Sequence, residues 1–483
     1  MAAWDYDAVI LGAGAAGLMA AIHAAERGRR VLLLEKGKKA GVKILMSGGT
    51  RCNITHDCDN RGIIAAFGPN GKFLHSALAN FGVRETIDFF EAEGVATKIE
   101  ETGKIFPVSN RAVDVLNALL RRLARTSATL ALEEPAREIH PISQPWGQAS
   151  SLSESLEEPA QEIHPISQPW RQASSLSESL EKPAREIHPI SQPWGQASSL
   201  SESLEEPARE IQPLVADGFR IVTPKRSITA ERVLVTTGGK SFPGCGTTGD
   251  GYAFATQFGH TIVPTKPALV PLTVQAEWVA ELRGITLPDI GLKVFDESKL
   301  LSARRGSMLF AHFGLTGPAP LDVSRAVSSH STPSKLILEI DLLPEVGEPA
   351  FDEFLRVETA ASGKKLLAGI LAEKLTRRVS DQLLAIAGLP LDRTAAALSK
   401  VDRQKLTAAG KRLRVPLRGT LGFEKAEVTS GGVTLDEVDS RTMQSKRTPG
   451  LYFAGEVLDL DGWIGGYNFQ SAWSTGWLAG KNL

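Results

Sequence analysis

Gly12, Gly14 and Gly17 are spaced G-x-G-x-x-G, and an acid, Glu35, follows 18 residues after the last of them. These residue types in this order suit recognition of a dinucleotide. Gly12 allows a tight turn, Gly14 lets backbone approach a pyrophosphate, and Gly17 lets a helix pack closely on a strand. The pyrophosphate then sits on free N–H groups at the positive end of the helix that Ala15 and Ala16 open. Glu35 is placed to accept hydrogen bonds from the adenosine ribose. Three elements must hold these residues. Residues 8–11 are apolar with β-branched Val9 and Ile10, and read as a buried strand. Residues 15–27 are Ala-rich without proline and read as a helix. Residues 31–34 form a second strand that Glu35 closes.

The segment after Glu35 is glycine-rich and basic. Lys36, Lys43, Ser47, Gly48, Gly49, Arg51 and Asn53 supply donors and close backbone approach. They suit a second wrap around an extended, phosphate-bearing cofactor; the alternative is a solvated loop. Cys52 lies inside this wrap and reads as a small packed residue, since no base stands beside it. His56-x-Cys58 is too short a pattern for a metal site.

Two later segments point back to the same place. From Arg232 the run VLVTTGG reads as a buried strand that delivers Thr237, Gly238 and Gly239 to the cofactor side. A glycine-rich turn and a helix follow, with Asp250 in its first turn, where an acid serves as a cap or a cofactor contact. Near the C-terminus, residues 451–454 form a strand, Gly455-Glu456 follow, and Gly465-Gly466 open a helix. A flavin needs both features. An acid accepts from ribityl hydroxyls, and a helix N-terminus stabilises negative charge on the reduced ring.

The chain of 483 residues is long enough for two to three domains, and its 42% hydrophobic and 23% charged content is that of a soluble globular protein. A net charge of −1 gives no global argument for nucleic acid or membrane. No apolar run approaches the roughly 18 residues of a membrane span. Only Cys52, Cys58 and Cys245 are present, which predicts a reducing compartment and a cytoplasmic protein. The N-terminus has no basic region of a signal peptide.

A tandem repeat interrupts the pattern. Residues 133–204 are three copies of a 24-residue unit, and residues 205–213 begin a fourth. Each unit holds three prolines and five serines, so it buries little surface, and a solvated, disordered insert is expected rather than a solenoid. The units carry −3, −3 and −1, leaving +6 on the other 411 residues. Trp146, Trp170 and Trp194 recur, as do His140, His164 and His188, which leaves a partner-binding array as the alternative. Residues 264–423 change character, with short strand signals and then a basic helical stretch at 350–411. In SMLFAHFGLTGPAP, His312, Thr316 and the Gly314/Gly317 pair form the most polar and constrained stretch; His312 is the candidate acid or base, with a satisfied core residue as the alternative.

GAGAAG, SGGTRCNITH, TTGGKSFPGCGTTGDGY, FAHFGLTGP, TMQSKRTPGLYFAGEVLDLDG and GGYNFQSAWSTG together resemble a flavoprotein family whose members are named as aminoacetone oxidases and 3-dehydro-bile-acid Δ4,6-reductases. The resemblance implies FAD, in an α/β, Rossmann-like two-dinucleotide-binding fold with an inserted small β-barrel and helical domain. The domains expected are 1–263 and 424–483 for FAD and 264–423 for the insertion. Gly12, Gly14, Gly17, Glu35 and Lys36 are expected at the ADP half. Lys43, Ser47, Arg51 and Asn53 are expected along the phosphates and flavin, and Glu456, Asp459, Gly466, Tyr467 and Asn468 at the ribityl and ring. The family often carries a third glycine where Thr50 stands. The implied activity is hydride transfer between flavin N5 and a small organic substrate, as NAD(P)H-linked reduction of a conjugated ketone. The alternatives are oxygen-linked amine oxidation and a non-catalytic or RNA-associated flavoprotein; a nucleic-acid partner is not expected from the charge. No separate second nucleotide-binding domain is read in the sequence, so NAD(P)H would dock transiently over the flavin.

Overall fold

The structure, a computed structural model, describes residues 4–142 and 217–483. Most of the repeat block lies outside the described residues, as do Trp146, Trp170, Trp194, His164 and His188.

Strands β1 (Tyr6–Leu11), β2 (Val31–Leu34), β3 (Thr129–Ala131), β4 (Glu138–Ile142), β5 (Gly218–Val222) and β6 (Ser227–Val235) lie in one sheet in the order β3-β2-β1-β6-β5-β4. β1 is parallel to β2, with Ala8 opposite Val31, and parallel to β6, with Ala8 opposite Arg232. Ala8, Val9, Ile10 and Leu11 are all buried, as are Val31 to Leu34, because both faces of the central strands are covered.

A second sheet is a closed six-stranded barrel of β7 (Leu272–Val274), β8 (Thr286–Asp296), β9 (Lys299–Ala311), β10 (Gly314–Thr316), β11 (Leu336–Asp341) and β12 (Leu413–Thr420). Alternate residues such as Leu292, Val294, Leu338, Ile340, Val415 and Leu417 fill its inside. The helices between residues 348 and 411 pack on it through Phe351, Leu355, Leu383 and Leu406. Strands Ile262–Ala268 and Val428–Val433 pair antiparallel where the chain enters and leaves the barrel. β13 (Leu451–Phe453) then returns the chain to the first sheet, parallel to the end of β6.

The helix Ala15–Glu26 packs against the C-terminal helix Tyr467–Asn482. Small residues permit the approach. A Cβ at Gly476 would stand 2.4 Å from the Ala16 carbonyl oxygen, and one at Gly480 would stand 2.5 Å from that of Ala20. The last helix is therefore locked to the first.

Candidate active site

A single cleft of about 700 Å³ runs along the carboxyl ends of β1 and β6 and is lined by both helix N-termini, at Gly14 and at Gly466. That volume suits a large organic ligand.

The glycines of the first turn divide their work. Gly12 has φ +105°, and a Cβ there would meet the Thr236 carbonyl oxygen at 2.7 Å. A Cβ at Gly17 would lie 1.9 Å from the Gly12 oxygen, so helix and turn touch backbone to backbone. At Gly14 nothing lies within 4 Å, and the open space is the cleft. Glu35 Oε2 accepts from the Ala13 amide at 3.0 Å and Oε1 from the Gly37 amide at 2.7 Å. Each oxygen keeps a lone pair for a hydroxyl. Lys36 Nζ reaches Asp250 at 2.5 Å and Thr248 at 2.6 Å, which ties the turn after β6 to β2.

Further along the cleft, Lys43 Nζ lies 2.5 Å from Glu456 Oε2 and donates to Ser241 at 2.9 Å. Glu456 Oε1 also accepts from Ser241 Oγ at 2.7 Å and from the Thr429 amide at 2.9 Å. The helix Val42–Thr50 breaks where Ser47 turns extended and Gly48 and Gly49 take φ +56° and +66°. Thr50 follows at φ +68°, a left-handed conformation that costs a β-branched residue energy and suits the glycine of the family pattern. Asn53 Oδ1 and Thr237 Oγ1 are buried, belong to residues lining the cleft, and have no hydrogen-bond partner among the described residues. An unpartnered buried oxygen is costly, so these two atoms mark polar positions for a ligand. With the open side of Gly14, they fit an extended dinucleotide cofactor.

Of the residues expected from sequence, Ala15, Ala16, Arg51, Gly238, Gly455 and Asn468 also line the cleft. Arg51 stacks 4.0 Å from the Phe106 ring centroid and pairs with Glu100 at 2.7 Å. Gly17, Cys52, Gly239, Asp459, Tyr467 and His312 do not line it. A Cβ at Gly239 would stand 2.3 Å from Thr429 Oγ1, so that glycine serves packing. Cys52 is fully buried, and burial pushes its thiol up to about 12. Asp459 accepts from the Gly431 amide at 3.1 Å and from Asn70 at 3.1 Å, holding neighbouring backbone. Tyr467 stacks on His56 at 4.5 Å between ring centroids. His312 is exposed at the turn between β9 and β10, against Phe313.

Sequence reasoning missed the opposite lining. It comprises Lys104 and Phe106 from one hairpin, Leu269 just after the strand Ile262–Ala268, Leu309 and Thr316 near the ends of barrel strands, Pro318 and Leu321 from the following helix, and Glu427. Glu134 and Pro135, the opening residues of the first repeat copy, also line the cleft; Glu134 pairs with Arg226 at 2.9 Å. Asp322 lies just behind Leu321, and burial pushes its carboxyl up to about 6 even though it accepts from the Ile464 amide at 2.8 Å. Only the GLTG stretch around Thr316 gave a signal in sequence, as a constrained polar turn.

The model of the family described as HI0933-like protein Rossmann domain matches residues 6–154 and 197–482. The gap between the two matched stretches, residues 155–196, falls inside the tandem repeat. A ribosomal RNA dihydrouridine synthase of Escherichia coli (strain K12) is 32% identical over 481 residues, 99% of this chain and 98% of that protein. A 3-dehydro-bile acid delta(4,6)-reductase of Clostridium scindens is 29% identical over 479 residues, 98% of this chain and 97% of that protein. Among the described residues no helix is long and apolar enough to cross a membrane.

Proposed function

The chain belongs to the HI0933-like protein Rossmann-domain family and is an FAD-dependent oxidoreductase, and on that premise we propose that it saturates a carbon–carbon double bond conjugated to a carbonyl. FAD bound in the cleft supplies the hydride chemistry. In this reading the backbone around Gly14 receives the pyrophosphate, Glu35 a ribose hydroxyl, and Asn53 and Thr237 polar groups of the cofactor. Lys43 and Glu456 stand by the ribityl chain, and the N-terminus of the C-terminal helix steadies negative charge on the reduced ring. The expected division into residues 1–263, 264–423 and 424–483 belongs to the same proposal.

The observation that carries the reading is the mixed lining of one cleft. Two helix N-termini and two unpartnered oxygens suit a dinucleotide, and Leu269, Leu309, Pro318 and Leu321 suit the flat apolar body of an enone. The names of the relatives support reduction over amine oxidation. Dihydrouridine is uridine saturated at a double bond conjugated to a ring carbonyl, and a Δ4,6-reductase of a 3-dehydro bile acid acts on double bonds conjugated to a ketone. The two differ in the molecule that carries the bond, so the proposal stops at the bond, with NAD(P)H as the transient donor.

Anaerobic addition of NADH or NADPH to the purified protein is expected to bleach the flavin. Adding a 4-en-3-one steroid or a uridine oligonucleotide should then restore its absorbance. Bleaching by aminoacetone, with colour restored only by oxygen, overturns the reading.

A further inference from the structure

Saturating a conjugated double bond needs two deliveries. A hydride forms the C–H bond at the carbon β to the carbonyl, and the π pair moves toward the oxygen. A proton must then reach the α-carbon. The hydride comes from the reduced cofactor of the reading above, on which this inference rests; the proton needs an acid in the cleft.

Five carboxyl groups line the cleft, and four are engaged. Glu35 holds two backbone amides, Glu134 holds Arg226, Asp250 holds Lys36, and Glu456 holds Lys43. A carboxylate held by a cation or amides is a poor acid, because its partners favour the charged form. The fifth, Glu427, has no side-chain hydrogen bond or ion pair among the described residues. Its backbone is fixed on both sides: the amide donates to the Leu269 carbonyl at 3.1 Å, and the next residue begins the strand Val428–Val433. The side chain is exposed to the open cleft, whose lining also includes Leu269 and Leu321.

We propose that Glu427 is the proton donor to the α-carbon of the substrate. Its carboxylic acid loses a proton as the new C–H bond forms, and water returns one after product leaves. Burial raises its pKa, the neighbouring Asp322 raises it further, and Lys43 and Lys104 oppose the rise. A shift in this direction suits a proton donor better than a carboxylate held by a cation or amides.

The test uses the FAD-loaded full chain and its Glu427→Gln and Glu427→Asp variants, with a 4-en-3-one steroid and a uridine oligonucleotide as oxidants. Glu427→Gln should keep FAD content and reduction by NAD(P)H or dithionite, yet slow reoxidation by the conjugated carbonyl by about 100-fold or more, the usual contribution of a general acid. The wild-type reoxidation rate should fall as pH rises through the donor's pKa, and that dependence should vanish in the Gln variant. Glu427→Asp should recover part of the rate. Infrared difference spectra of the oxidised protein, without substrate, should show a protonated-carboxyl band that Glu427→Gln removes. Equal reoxidation by wild type and Glu427→Gln overturns the proposal. Wild-type flavin that no conjugated carbonyl reoxidises sinks the underlying reading, a distinct result.

Discussion

The two linings of the cleft are made of different material. The side proposed for the dinucleotide rests largely on backbone: the Gly12 turn, the amides of Ala13 and Gly37 held by Glu35, and two helix N-termini brought together by the close packing of Ala16 and Ala20 on Gly476 and Gly480. The barrel side is side chains: Lys104, Leu309, Pro318, Leu321 and Glu427 come from segments far apart in sequence. Backbone recognition needs particular glycines at particular spacings, and tolerates no Cβ. Side-chain recognition leaves no spacing rule, and its residues can change with the substrate while the barrel stays closed.

The strongest way to break this contrast is at the glycines. Gly17→Ala puts a Cβ 1.9 Å from a backbone oxygen, so helix and turn must part. A loss of roughly 3 kcal/mol in stability, with little FAD retained, is expected, at the upper end for overpacking. Gly14→Ala meets nothing within 4 Å and its φ of −82° is ordinary, so its unfolding midpoint should stay within about 0.5 kcal/mol of wild type. Its FAD affinity should nevertheless fall more than tenfold, because the added methyl stands in the cleft. Thermal unfolding of the apoprotein and FAD titration separate the two. Equal behaviour of the two variants would show that Gly14 is not where the cofactor approaches.

Glu35→Ala is expected to weaken FAD binding by about 1–3 kcal/mol, the range for a charge-assisted hydrogen bond. The change also strands the Ala13 and Gly37 amides, so part of the loss will appear in apoprotein stability. FAD affinity equal to wild type would remove Glu35 as the ribose acceptor.

These contrasts follow what could be read in the sequence. β1, its turn, the first helix, β2 and Glu35 are local, and their spacing states their geometry. The strand, acid and Gly-Gly helix start near the C-terminus are local too. Spacing did not distinguish Glu456, which faces the cleft, from Asp459, which holds the Gly431 amide three residues on. Glu427 was invisible because GFEKAEVTS reads as an exposed charged turn; only closure of the barrel and pairing of Val428–Val433 with Ile262–Ala268 turn it inward.

Asp322 offers a smaller effect on the barrel side. Its carboxyl is pushed from 3.8 up to about 6 by burial, so the folded state binds a proton more tightly than the unfolded chain. For a raised carboxyl, stability is greatest below the unfolded pKa and declines as pH rises through the folded one. The wild type should therefore lose about 2 kcal/mol between roughly pH 4 and 6 that Asp322→Asn does not lose. The amide oxygen of Asn can still accept from Ile464. Urea midpoints of both proteins across that range give the comparison, and parallel curves would show that Asp322 does not titrate there.

The smallest expected effect concerns the repeat block, whose described residues, 133–142, belong to its first copy. Glu133 and Glu134 donate their amides to Gly37 and Glu35, Ile139 is buried, and β4 pairs with β5 from Glu138 opposite Val222 to Ile142 opposite Gly218. The fourth copy reads EEPAREIQPL against EEPAREIHPI in the first, differing only at exposed His140 and half-buried Ile142. Deleting residues 133–204 places Glu206 where Glu134 pairs with Arg226, and Ile211 where Ile139 is buried. Leu214 then stands opposite Gly218, and residues 215–217 close the hairpin, a common loop length. Shortening the connection lowers the entropy of closing it. Short loops depart from ideal scaling, so a gain of about 1 kcal/mol is the expectation. FAD content and turnover should match the full chain. A deletion that loses FAD would mean that residues between the first and fourth copies also support the cleft, and the backbone lining would then not be local after all.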